Sequence, residues 1–154
     1  MRQVAGHLDA SGLSFAIVLA RFNSRISDLL LAGTIDGLVR HGASEKKITL
    51  LRVPGSFEIP AALRRLAEGE QRPDALIALG ALIRGETPHF DHLAAVVTRA
   101  LDKVSESSGL PVANGVLTCE TMDQALDRAG GKVGNKGFEA AMSAIEMANL
   151  MSQI

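Results

Sequence analysis

Four apolar runs mark out the chain: Phe15–Ala20, Ile48–Val53, Ala75–Ile83 and Val112–Leu117. Phe15–Ala20 is unbroken, as a strand covered on both faces must be. Ala75–Ile83 is the most hydrophobic and predicts a central strand. Between the runs the apolar period changes to that of a helix. Ile26, Leu29, Leu30, Ile35, Leu38 and Val39 form a stripe that predicts a helix over Ser24–His41, with Gly42 as its stop. A second helix spans Ile59–Glu68, with Pro60 tolerated in its first turn. Thr87 as N-cap and Pro88 at the first helical position open a long helix to about Ser108, followed by Gly109 and Pro111.

The C-terminal third is punctuated by glycine. Thr121-Met122-Asp123-Gln124 fits a capping box and starts a short helix ending at Gly130-Gly131. Gly134-Asn135-Lys136-Gly137 leads into a last helix, from near Phe138 to Met151. Residues Met1–Ser14 are polar and read as an arm with a short strand near Val4. The order β-α-β-α-β-α-β-α-α implies an α/β fold with a four-stranded parallel sheet, right-handed crossovers and helices on both faces. This is a three-layer α/β/α sandwich in one domain, 1–154, with residues 1–13 as an arm contacting a neighbouring subunit.

Composition narrows the classes. With 16 basic and 17 acidic residues the net charge is −1, and five Phe are the only aromatics. Neither supports a nucleic-acid or membrane-surface partner. No apolar stretch approaches the roughly 20 residues of a membrane helix. The single cysteine, Cys119, excludes an internal disulfide and fits a reducing, cytoplasmic setting. Met1–Gly6 is short and not apolar, so no signal peptide is expected. A hydrophobic share of 47 % in so small a chain favours subunit contacts.

Each strand ends in a chemically distinctive patch: Arg21-Phe22-Asn23, Pro54-Gly55-Ser56-Phe57-Glu58, Arg84-Gly85-Glu86-Thr87-Pro88-His89 and Thr118-Cys119-Glu120. Open parallel sheets bind ligands outside the carboxyl ends of their strands. His89 follows the central strand at the second or third helical position. The positive end of a helix favours the neutral, proton-accepting imidazole there. His92, Glu86 and Asp91 lie nearby, but a His-x-x-His pair supplies only two metal ligands, and no third histidine or cysteine has a suitable spacing. Gly85, Glu86 and Thr87 precede a helix, where free N–H groups suit a phosphate or form an ordinary turn. Arg128 and Lys136 flank a glycine-rich corner and either hold a phosphate or stay solvated. Phe22 and Phe57 follow strands; each either stacks on a flat ligand or packs in the core.

Together these segments resemble the lumazine synthase family. The resemblance rests on Ala20-Arg21-Phe22-Asn23, on Val53 to Pro60 (VPGSFEIP), on Ile83 to Asp91 (IRGETPHFD), on Gln124-Ala125 with Arg128-Ala129-Gly130, and on Gly134-Asn135-Lys136-Gly137 with Ser143 to Asn149. It covers about Gly6 to Met151. It implies a flavodoxin-like fold and a transferase of riboflavin biosynthesis without metal or organic cofactor. Its small-molecule substrates would be a ribityl-bearing pyrimidinedione and 3,4-dihydroxy-2-butanone 4-phosphate.

The resemblance also implies roles. Phe22, with Asn23 beside it, would stack on the pyrimidine. Ser56, Phe57 and Glu58 would hold the ribityl chain and ring edge. Ala81, Leu82 and Ile83 would line the pyrimidine site through backbone groups. Gly85, Glu86 and Thr87 would meet the phosphate, and His89 would move protons. Arg128 would anchor the phosphate, supported by Lys136 and Glu139, from the adjoining subunit of a pentamer. Relatives also form paired pentamers or icosahedral shells, and the uninterrupted Gly130–Gly137 corner resembles the shell formers. Asn114 departs from the pattern, since many relatives carry an aromatic there; it implies weaker pyrimidine binding. A shell or flavin-binding protein with little catalysis is the alternative, which intact His89 and Arg128 disfavour.

Overall fold

A computed structural model describes residues 1–154. Its elements run β1 (Phe15–Ala20), α1 (Ser24–Arg40), β2 (Ile48–Val53), α2 (Ile59–Glu68), β3 (Ala75–Ile83), α3 (His89–Ser108), β4 (Val112–Cys119), α4 (Met122–Arg128), β5 (Ala129–Gly131), β6 (Gly134–Asn135) and α5 (Lys136–Met151). The four long strands form one parallel sheet in the order β2-β1-β3-β4. This is the three-layer α/β fold expected from the sequence.

The unbroken apolar runs follow from burial on both sides. Phe15, Ile17 and Leu19 of β1 and Ile77 and Leu79 of β3 enter a core shared with Leu30, Leu38, Ala141 and Ile145 of α1 and α5. The alternate residues Ala16, Val18, Leu76 and Ala78 enter a second core with Ile59, Leu63, Val97 and Leu101 of α2 and α3. Period-two alternation feeds two opposite cores from one strand. Helices α1 and α5 approach closely at Gly37 and Gly137, and Thr34 Oγ1 lies 2.9 Å from the carbonyl oxygens of Leu30 and Gly137. Gly42 ends α1 with φ 99°, as its place in the sequence predicts.

Several local expectations need correction. No strand forms near Val4; the arm lies on α5 of its own chain, where Asn149 Nδ2 donates to the carbonyls of His7 and Asp9. Strand β4 runs two residues further than predicted, to Cys119, because Thr118 and Cys119 still pair with Leu82 and Ile83. Thr87 does not cap α3. Pro88 takes that place, and His89 is the first helical residue. Thr121 does cap α4, accepting from the Gln124 N–H, but Gln124 Oε1 reaches the Glu120 N–H rather than closing the box on Thr121. Helix α4 stops at Arg128. Residues Ala129–Gly131 and Gly134–Asn135 form a small antiparallel ribbon instead of a plain glycine corner. Asn135 then caps α5 through the N–H groups of Gly137 and Phe138, so the helix starts at Lys136.

Candidate active site

The sheet order reverses between β1 and β3, since β1 leads out to β2 and β3 returns on its other side. Such a switch point leaves a crevice beyond the strand ends. Here β3 continues past its last pairing with β1, Leu79 opposite Leu19, so its end borders open space on the β1 side while β4 still pairs with it on the other. A cleft of about 560 Å³ fills that space. It is lined by Phe22, Asn23, Ser56, Phe57, Glu58, Ala81, Leu82, Ile83, Gly85, Thr87 and His89, all anticipated from the sequence.

Each wall has a local cause. Asn23 is the only non-glycine residue with positive φ, at 60°, a region that asparagine tolerates. The left-handed step ends β1 abruptly and turns the chain into α1. Asn23 Nδ2 donates to the Ala81 carbonyl at 3.0 Å, tying the ends of β1 and β3 together. That carbonyl is therefore already engaged, unlike the free backbone reader expected at Ala81. After β2, Pro54-Gly55 breaks the strand and Ser56–Glu58 forms a 3-10 turn. Glu58 Oε2 accepts from the Gly55 N–H at 2.9 Å and folds the turn on itself. Ser56 is buried and packs on Gly80, where a Cβ would stand 2.8 Å from its Oγ. Gly80 is thus needed for this close approach.

Phe22 is 72 % exposed and Phe57 is 62 % exposed, so neither packs in the core. Large apolar rings are costly to leave in water, and two flanking one cleft make a surface ready to take a flat ligand. His89 stands on the rim, in the first turn of α3. Pro54, Gly55, Phe90 and Leu93 also line the cleft and were not singled out as site residues. The signal for two of them was helical spacing: Leu93 lies four residues after His89 and three after Phe90, so they share a face. Gly85 and Thr87 line the cleft while Glu86 does not.

The remaining predicted residues lie elsewhere. Asn114, Arg128 and Lys136 line a separate hollow of about 230 Å³ beside β4, which shares no residue with the first. Arg128 Nη1 donates to the Gln124 carbonyl at 3.1 Å, and Lys136 Nζ donates to Glu139 Oε2 at 2.5 Å. Asn114 Oδ1 accepts from the Val116 N–H at 2.9 Å, which fixes its amide against the edge strand. Cys119 is buried next to this region. Burial pushes its thiol up, against the opposing pull of the Arg128 charge, and leaves it a weak nucleophile. No three His, Cys, Asp or Glu side chains stand together as metal ligands, His89 and His92 included.

The main cleft thus offers two exposed rings, a histidine and a turn rich in backbone donors, but no lysine or arginine. No helix is long and apolar enough to cross a membrane. A family model described as 6,7-dimethyl-8-ribityllumazine synthase matches residues 12–152, nearly the whole fold, and the chain belongs to that family.

Proposed function

We propose that this chain is a lumazine synthase acting at the penultimate step of riboflavin biosynthesis. It condenses 5-amino-6-(D-ribitylamino)uracil with 3,4-dihydroxy-2-butanone 4-phosphate to 6,7-dimethyl-8-ribityllumazine. The observation that carries the reading is the pairing of exposed Phe22 and Phe57 across a switch-point cleft with His89 on its rim. In this reading Phe22 stacks on the pyrimidine, and Ser56, Phe57 and Glu58 hold the ribityl chain. Ala81, Leu82 and Ile83 form the floor, and Glu86 with the Gly85–Thr87 turn meets the phosphate.

The amine attacks the ketone and loses water to give an imine. Phosphate is eliminated, and attack by the ribityl-bearing nitrogen closes the ring with loss of a second water. His89 carries protons between these steps. Holding two reactants in one orientation removes much of the encounter entropy, up to roughly 7–11 kcal/mol in well-aligned cases, so the chemistry needs no metal or organic cofactor. The cleft holds no cation for the phosphate. Arg128, with Lys136 and Glu139, therefore enters from a neighbouring copy in a pentamer, the building block of any larger shell. Asn114 comes from the same side and contributes hydrogen bonding instead of stacking.

The test is direct. Purified protein mixed with the two substrates should form fluorescent lumazine, and His89→Ala should lower kcat by on the order of 100-fold, the low end for positioned proton transfer. No product from the unmodified protein refutes the assignment. Equal rates from both proteins refute only the role given to His89.

A further inference from the structure

Beside the cleft, and outside its lining, Arg84 makes more polar contacts than any other side chain around it. It is the first residue after β3, and its backbone N–H donates to the Cys119 carbonyl at 2.9 Å, one step beyond the strand. Its Nη1 and Nη2 form a fork on Asp91, at 2.8 and 2.7 Å to the two carboxylate oxygens. Its Nε donates to Glu120 Oε2 at 2.6 Å. The flat guanidinium also covers the Phe90 ring, with Cζ 4.5 Å from the ring centroid.

These four partners sit on two elements and the residue after one of them. Cys119 ends β4, Glu120 follows it, and Phe90 and Asp91 are the two residues after His89 in the first turn of α3. The chain therefore leaves β3 at Arg84, makes the turn Gly85–Pro88, and enters α3 at His89, only to be gripped there by the residue it left from. Apart from the Asp91 N–H, which donates to the Pro88 carbonyl at 3.1 Å, little else ties that turn: Thr87 gives α3 no side-chain cap, and residues 85–89 are all exposed. A planar fork carries orientation as well as charge, which a lysine cannot reproduce.

We propose that Arg84 is a positioning residue for the reaction, setting His89 over the cleft by clamping the first turn of α3 to the ends of β3 and β4. The proposal rests on the function assigned above. It goes further in assigning a role to a side chain that touches no substrate.

Arg84→Lys keeps the charge but loses the fork, the Nε bond and the stacking face. Displacing a reacting group by about 1 Å costs up to about 100-fold in rate, so kcat should fall by about 10- to 100-fold. The KM for the pyrimidine, whose contacts lie at the ends of β1, β2 and β3 and not in the 85–89 turn, should stay within about twofold. In a His89→Ala background the same change should alter kcat by less than about threefold, because the group being positioned is gone. Glu120→Gln, which leaves the Asp91 fork intact, should show the same coupling at smaller amplitude. Hydrogen exchange reads the clamp without catalysis: the Asp91 amide, which donates to the Pro88 carbonyl, and amides 93–95 of α3 should exchange about tenfold faster in Arg84→Lys while 75–83 stay unchanged.

An equal loss of kcat in both backgrounds makes Arg84 merely structural and overturns the proposal. So does a kcat within twofold of the unmodified protein, or unchanged exchange at 91 and 93–95. If the unmodified protein forms no lumazine, the reaction assignment falls instead, and the exchange comparison still decides whether Arg84 holds the turn.

Discussion

Asp91 shows how a single exposed carboxylate can answer for the shape of a site. The Arg84 fork, above all, holds its pKa below the ordinary 3.8, with His92 adding a smaller pull. A carboxylate depressed on folding contributes stability that is complete above its unfolded value and fades as pH falls through the folded one. The contribution of this pair is therefore full at neutral pH and disappears below about pH 4. Asp91→Asn should melt lower than the unmodified protein at pH 7, with the gap closing as melts are repeated down to pH 3. A gap independent of pH would mean that the carboxylate charge is irrelevant. At this scale the sequence was informative about which residues gather at the cleft and silent about their partners. His89 was legible from its place just past the central strand, whereas Phe22 read equally well as a core residue and was set apart only by the family resemblance. The Asn23 bond to Ala81 joins residues 58 apart and the Arg84 bond to Glu120 joins residues 36 apart, and no local pattern encodes such distances.

Elements were legible where one strong signal governs them. The first three strands match their apolar runs at both ends; for β1 and β3 this is because covering by helices on two faces demands unbroken hydrophobicity, while β2, an edge strand, keeps Thr49, Leu50 and Arg52 exposed. Boundaries failed where tertiary contacts overrode local chemistry. Pairing with β3 drew Thr118 and Cys119 into β4, and the 129–135 ribbon arose where glycines suggested only a turn. That ribbon delivers Asn135, whose Nδ2 donates to Leu29 and Ala129 while its Oδ1 caps α5. It thereby sets the start of α5 against α1. The seam depends on Gly137, where a Cβ would run into the Leu30 carbonyl and stand 2.7 Å from Thr34 Oγ1. Alanine gains up to about 1 kcal/mol over glycine as a helix former, while overpacking costs about 1–3 kcal/mol. Here the obstacle is backbone and cannot swing aside, so the cost wins. Gly137→Ala should lower the melting temperature by several degrees at unchanged secondary-structure content; a melt equal to or above that of the unmodified protein would show that α1 and α5 can part freely.

Over the whole molecule, the two hollows must be weighed together. One chain presents rings, histidine and turn without a cation; the other edge of the same chain presents Arg128 and Lys136 without a ring. Apolar side chains are left exposed as well, among them Leu50 at 41 % on the edge strand β2 and Val96 at 51 % on α3. In the proposed function the phosphate end of the cleft lacks positive charge, and packing the β4 edge of one copy against the cleft of the next would supply it. In the sequence this arrangement was carried by composition and by the family resemblance, because no periodicity within a chain records what lies across a boundary between copies. A mixing experiment separates a shared site from a self-contained one. Phe22→Ala damages only the cleft and Arg128→Ala only the cationic edge. Unfolded together in equal amounts and refolded, the two variants should form hybrid rings. In about one interface in four, an intact cleft then meets an intact cationic edge. Lumazine formation should rise toward a quarter of that of the unmodified protein, well above either variant refolded alone. If each chain instead builds its site unaided, every site carries one lesion or the other, and the mixture gives only the average of the two variants.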